Sequence, residues 1–157
     1  MSVRVRQANP LSAEGRALLA QSHAFMAAKY PPEHVFALPA EALAEPHVRF
    51  FIVEVDGAAV GCAALANKGD YGEVKSVFVS PEGRGRGAGA ALVEALIAAA
   101  EAQALPWMRL ESGDDLYEAH RLYARHGFGM SGPFGDYQEG PHSIFMERCM
   151  GAPEGGA

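Results

Sequence analysis

Four glycines fall within seven residues, at Gly83, Gly85, Gly87 and Gly89, and Arg84 and Arg86 alternate with them. The stretch joins the strand-like run Val77-Phe78-Val79 to a segment of helical spacing, with Ser80-Pro81-Glu82 leading into it. Glycines in that position let successive backbone N–H groups turn to one side, and a helix starting there adds about half a positive charge at its N-terminus. A pyrophosphate needs converging donors and no intruding side chains, so alternate glycines suit it, and the two arginines supply charge from the flanks. A merely flexible turn has no use for alternating arginine and glycine at the start of a helix.

The remaining polar residues offer less chemistry. The six histidines form no HExxH and no i, i+4 metal pair, so no metal is expected. Asp114-Asp115 could hold a cation or cap the helix that follows. Ser22, Ser76 and Ser143 lie in no G-x-S-x-G elbow, which leaves a hydrolase triad unsupported. Cys62 and Cys149 match no CxxC spacing and read as two reduced, buried thiols.

Length and charge narrow the setting. A chain of 157 residues with 49% apolar and 20% charged residues supports one compact domain, residues 1–150, followed by a disordered tail at 151–157. Thirteen Lys and Arg against 19 Asp and Glu give a net charge of −6, which opposes a broad nucleic-acid or anionic-lipid surface. No apolar run approaches the roughly 20 residues of a membrane span, and Met1 to Pro10 has no apolar signal core, so a cytoplasmic protein is expected.

The elements that must position the loop follow from periodicity. Val3 to Arg6 reads as an edge strand, and Ser12 caps a helix over Ala13 to Tyr30 that Pro31-Pro32 ends. A helical piece over Pro39 to Ala44 precedes strands at Arg49 to Val55, Ala59 to Ala66 and Tyr71 to Val79. Asp56-Gly57 and Asn67-Lys68-Gly69-Asp70 turn the chain between them, which implies three antiparallel strands in a row. From Gly87 to Gln103 the apolar stripe of Leu92, Ala95, Leu96 and Ala99 is widened by Val93, Ile97 and Ala100, as in a helix packed on a sheet. Trp107 to Glu111 then forms a strand joined to Tyr71–Val79 by a crossover and parallel to it. A helix over Asp115 to His126, stopped by Gly127, and a last strand over Ser143 to Arg148 complete the order.

Two phosphate-binding patterns compete for the loop. Gly85-x-Gly87-x-x-Ala90 fits a dinucleotide fingerprint, with Glu111 near the place of the ribose-binding acid. Ser80 to Arg84 separate the strand from the first of those glycines, however, and the antiparallel meander upstream is not a βαβ unit. Arg84-x-x-Gly87-x-Gly89, preceded by Val79-Ser80-Pro81, resembles the Arg/Gln-x-x-Gly-x-Gly/Ala signature of the GNAT N-acetyltransferase family. Downstream, Leu122-Tyr123-Ala124-Arg125-His126-Gly127-Phe128 resembles that family's Leu-Tyr-x-x-x-Gly-Phe motif. Val60-Gly61-Cys62-Ala63 resembles the family's hairpin strand, while Pro133 to Tyr137 and Ser143 to Glu147 resemble the closing segment of a little-characterised bacterial subgroup.

The resemblance implies an α/β (α+β) fold whose mixed, mostly antiparallel sheet splays into a V, with helices on its flanks and acetyl-CoA between the fourth and fifth strands. It assigns the pyrophosphate to the backbone of Arg84, Gly85, Arg86, Gly87, Ala88 and Gly89, and the pantetheine arm to the backbone of Val77 and Val79. Glu73 falls where many members place a general base, with a surface pair to Lys75 as the equal alternative. Val77 N–H is the implied oxyanion donor, and Tyr123 the implied acid for the leaving thiolate, against the plain reading of a packed helix aromatic. Many relatives carry an Asn before this helix where the present chain has Ser112-Gly113-Asp114-Asp115-Leu116. The implied activity is acetyl transfer to a primary amine of a small molecule, with a homodimer as the family's default assembly. A non-catalytic acyl-CoA-sensing module is the alternative. The acceptor would lie over the splayed face, where Asp136 and Tyr137 serve either as acceptor contacts or as residues that close the fold.

Overall fold

In the computed structural model the described residues are 1–151, so the expected tail from 152 onward lies outside them. Seven strands, β1 (Val3–Gln7), β2 (Val48–Val55), β3 (Ala58–Asn67), β4 (Gly72–Val79), β5 (Trp107–Gly113), β6 (Gly129–Ser131) and β7 (Ser143–Cys149), form one sheet in the order β1-β2-β3-β4-β5-β7-β6. Only the β4–β5 pair is parallel, as the crossover required. Asp56 and Gly57 both have positive φ, 51° and 85°, the two-residue hairpin turn that matches strand twist. The three-residue β6 is too short to show alternation in sequence.

Helices cover both faces. On one side α1 (Ala13–Lys29) and α2 (Ala40–Leu43) bury Leu18, Leu19 and Leu43 against Phe50, Ile52, Cys62, Ala64 and Phe78. On the other, α3 (Ala88–Ala102) and α4 (Tyr117–Arg125) pack Leu92, Leu96 and Tyr123 against Val53, Leu65, Val74 and Leu110. Ser12 caps α1, its hydroxyl accepting from Gly15 N–H at 3.1 Å. No described helix is long and apolar enough to cross a membrane.

Two local features open the sheet. Pairing of β4 with β5 runs only through Gly72–Met108, Glu73–Arg109 and Val74–Leu110 and then ends, so Lys75 to Val79 diverge from β5. Opposite Ala63, β4 carries an extra residue, and Ser76 sits there at φ 57°. One added residue inverts the side-chain alternation: Val74 packs under α3, whereas past the bulge it is Phe78 that faces α1.

Two expectations are corrected. Asp114 and Asp115 do not cap α4: Leu116 precedes its first turn without a side-chain cap, while the Asp115 carboxylate accepts from the Tyr30 hydroxyl and pairs with Lys29 Nζ at 3.2 Å. A tertiary link to the end of α1 has taken the carboxylate from local use. Cys62 is buried, and burial pushes its thiol up to about 12, but Cys149 at the end of β7 is exposed.

Gly61 on β3 tests how tightly this frame is built. A Cβ there would lie 2.6 Å from the Phe78 carbonyl oxygen and 2.9 Å from Val53 Cγ1, so two packed strands must part to admit it. Gly61→Ala should cost about 3 kcal/mol by overpacking, lowering Tm by about 6–12 °C in a chain of this length. Gly129→Ala, in open space, should leave the melt unchanged.

Candidate active site

The glycine loop between β4 and α3 leaves its backbone uncovered at two positions. Gly85 and Gly87 adopt φ of 75° and 84°, conformations that side chains resist, and nothing lies within 4 Å of a Cβ built on either. Gly87 occupies the N-cap of α3, and no side chain makes a capping hydrogen bond to the first turn. The other two glycines have packing roles. A Cβ on Gly83 would strike Val60 at 2.7 Å, and one on Gly89 would meet Leu122 of α4 at 3.0 Å.

A hollow of about 370 Å³ over the loop is lined by Arg84, Gly85, Gly87, Ala88 and Gly89, and from α4 by Arg121 and Arg125. Arg86 is exposed and does not line it. The sequence reading named Arg86 beside this loop and did not name Arg121 or Arg125, which the fold brings to the hollow. Glu118, Arg121, Leu122 and Arg125 recur at helical spacing, a signal that became useful only once α4 was known to lie beside the loop. Arg84 donates from Nε to the Val79 carbonyl at 3.2 Å, so that carbonyl already has a partner within the chain.

From the loop a path runs inward. Arg84, Val79 and Gly89 also border a second hollow of about 540 Å³, walled by Phe25 and Met26 of α1 and by Leu116 and Ala119. Val77, Ser22 and Met26 carry that wall into a cavity of about 140 Å³ at the parting of β4 and β5. Tyr123 and Glu111 both line this inner cavity. Phe36, Ala37 and Lys75 in turn border a cleft of about 1020 Å³ on the α1 face, roofed by residues 135–142. A narrow centre with a long arm on one side and a wide, open cleft on the other suits a two-substrate transfer.

Glu73 stands in the wide cleft, buried at 6% exposure. The Tyr137 hydroxyl donates to its Oε2 at 2.6 Å, and Lys75 Nζ lies 3.4 Å from the same oxygen. Lys75 also donates to Tyr137 Oη at 2.9 Å and to the Phe36 carbonyl at 3.0 Å, which fastens both cleft-lining loops to β4. The pairing of Glu73 with Lys75 holds, but in the interior rather than at the surface. A carboxylate at that depth is tolerable because an ammonium and a hydroxyl compensate it. Asp136 and Tyr137 both line the cleft, Asp136 exposed and Tyr137 half-buried with its hydroxyl on Glu73.

Tyr123 is buried at 6% exposure, its ring 5.7 Å from that of Phe128. Burial, reinforced by the nearby Glu111 charge, raises its phenol pKa, so the group carries its proton at neutral pH. Among the described residues its hydroxyl has no hydrogen-bond partner recorded, although it lines the inner cavity. No group of three or more His, Cys, Asp or Glu side chains among the described residues is placed to hold a metal ion.

Comparison with known proteins agrees with this architecture. The Acetyltransferase (GNAT) family pattern matches residues 16–128. An "IAA acetyltransferase" from Azospirillum brasilense is 37% identical over 153 residues, covering 95% of this chain and 99% of the relative. A Klebsiella pneumoniae structure described as an acyl-CoA N-acyltransferase superposes with a TM-score of 0.79 at 31% identity, covering 94% of this chain and 97% of the other. A family acetyltransferase from Elizabethkingia anophelis with acetyl-CoA bound has the same fold, with a TM-score of 0.69 at 13% identity over 94% of this chain and 97% of that one.

Proposed function

Because this chain belongs to the GNAT acetyltransferase family, we propose that it transfers acetyl from acetyl-CoA to a primary amine of a small molecule. The observation that carries the reading is the row of four neighbouring hollows, each sharing wall residues with the next, from the glycine loop past the parting of β4 and β5 to the cleft around Glu73. The loop N–H groups with Arg84, Arg121 and Arg125 would hold the pyrophosphate, and the diverging backbone of Val77 and Val79 the pantetheine arm. Residue by residue the site suits that cofactor: the Cβ-free space at Gly85 and Gly87 is where phosphate oxygens must approach backbone. Bound there, acetyl-CoA supplies the activated acyl group.

Glu73 is positioned to take a proton from an ammonium arriving in the wide cleft, since an amine must be neutral before it attacks. Val77 N–H would donate to the carbonyl oxygen as it becomes an oxyanion. Tyr123, which retains its proton, would give it to the departing thiolate. The dinucleotide reading loses its support, because the strands before the loop form an antiparallel meander rather than a βαβ unit.

Acetyl-CoA at about 100 times its Kd should add roughly 2.7 kcal/mol of stability and raise Tm by about 5–10 °C in a chain of this size. Thiol release should then appear with at least one member of a panel of benzylamine, tryptamine, spermidine and L-lysine, with IAA included because the Azospirillum relative bears its name. A thermal shift without turnover of any primary amine would contradict the small-amine reading. Glu73→Gln should lower kcat/KM for a protonated alkylamine about tenfold and leave acetyl-CoA affinity unchanged.

A further inference from the structure

Phe36 stands where the wide cleft meets the inner cavity and borders both. At 40% exposure it is, of the exposed large apolar side chains among the described residues, the one that lines the wide cleft. Its place is fixed from two sides. The Phe36 carbonyl accepts from Lys75 Nζ at 3.0 Å, and the ring meets that of Tyr137 edge to face at 5.4 Å. Tyr137 in turn packs against Phe134 and Phe145, with ring centroids 5.0 Å and 5.7 Å away, and both of those rings are buried. An ordered aromatic pile thus holds one uncovered ring at the entrance to the inner cavity. Because Lys75 also pairs with Glu73, that ring and the carboxylate bound the same end of the cleft. Away from it the wall continues through Leu38, Val48 and Ala66, with Tyr71 as a further ring.

The charges lining the cleft are mostly negative. Glu45, Glu73, Asp136 and Glu139 stand against Lys68 and Lys75. The Lys75 ammonium is fully engaged, by Glu73, the Tyr137 hydroxyl and the Phe36 carbonyl. Glu45, Asp136 and Glu139 are exposed and make no ion pair among the described residues. Of the lining cations only Lys68 is left to oppose the three, so an entering ammonium is attracted and an entering carboxylate meets an excess of its own sign.

Resting on the small-amine acetyltransferase reading, we propose that the acceptor is an arylalkylamine, a primary ammonium joined by a short chain to an aromatic ring and bearing no carboxylate, and that Phe36 sets this preference by covering the ring. The ammonium reaches Glu73 while the ring lies against Phe36 in the offset or edge-on arrangement that aromatic pairs favour. Contact removes apolar surface of both rings from water, and the pile behind Phe36 is already ordered, so little side-chain freedom is lost. A polyamine would lay further charges along Leu38, Val48 and Ala66. A free amino acid would bring its carboxylate beside Glu73, where the ammonium of Lys75 is already taken.

Steady-state thiol release with tryptamine, L-tryptophan, ethylamine and spermidine tests the assignment. Tryptamine should exceed ethylamine in kcat/KM by about a hundredfold, the order expected for burying a ring. It should exceed L-tryptophan, which differs from it only by the α-carboxylate, by about a hundredfold or more. In Phe36→Ala the preference for tryptamine over ethylamine should fall to about fivefold through a raised KM for tryptamine, whereas Phe36→Trp should keep it. The wild-type comparisons stand whether or not either variant folds. Spermidine as the best of the four, L-tryptophan as fast as tryptamine, or a preference that Phe36→Ala leaves unchanged overturns the assignment. Absence of thiol release with every primary amine, despite a thermal shift with acetyl-CoA, instead contradicts the small-amine reading on which it rests.

Discussion

Tyr123→Phe should lower kcat about a thousandfold while leaving the Kd for acetyl-CoA within a factor of two. General acid catalysis by a positioned side chain contributes roughly 10²–10⁴-fold, and a thiolate expelled into a cavity of about 140 Å³ has little solvent from which to draw a proton instead. The change removes one oxygen and no intramolecular hydrogen bond recorded among the described residues. Contacts of the ring with Phe128 persist, so Tm should move by no more than about 2 °C. Steady-state thiol release beside equilibrium binding of acetyl-CoA separates the two quantities. If kcat falls less than threefold, the ring is there for packing, and another group supplies the proton.

Gly87→Val should weaken acetyl-CoA binding by at least a few hundredfold. At φ 84° and ψ 7° the N-cap of α3 lies in the left-handed region, where a β-branched residue is strained by about 1–3 kcal/mol. The chain can relieve that strain only by moving the loop, which would scatter the N–H groups proposed to hold the pyrophosphate. Any side chain that stays in place projects into the open space the anion needs, since no protein atom lies within 4 Å of a Cβ there. Lost donors and lost helix-dipole alignment act together. Calorimetric titration with acetyl-CoA and with CoA measures the loss, which should be equal for both because the acetyl group lies far along the path. Retained affinity would place the pyrophosphate elsewhere.

Much of this was legible in the sequence because the loop is local. Alternating Gly and Arg between an apolar strand and an amphipathic helix is a contiguous signal, and Leu122-Tyr123 to Gly127-Phe128 repeats the case downstream. The strand order was legible in part, through the Asp56-Gly57 turn and the crossover. What escaped depends on distant pieces meeting. Arg121 and Arg125 look like solvent-facing charges until α4 is laid beside the loop. Asp115 looks like a cap until the Tyr30 hydroxyl reaches it. Glu111 stands out in the sequence only beside a dinucleotide fingerprint, and it is the early end of β4–β5 pairing that places it at an enclosed cavity. The bulge at Ser76, a non-glycine residue at positive φ, has no marker in sequence either, although it sets which side chains face the opening.

The central claim is that acetyl-CoA lies along one path, from the loop at the N-terminus of α3 to the parting of β4 and β5. Backbone amide spectra of the isotopically labelled protein, recorded with and without acetyl-CoA, test it most directly. The account predicts large shifts and slowed hydrogen exchange at Gly85, Gly87, Ala88, Gly89 and Val77, with side-chain shifts at Arg121 and Arg125 and none at β1. Shifts confined to the wide cleft, or the same loop response to NAD but not to acetyl-CoA, would contradict it.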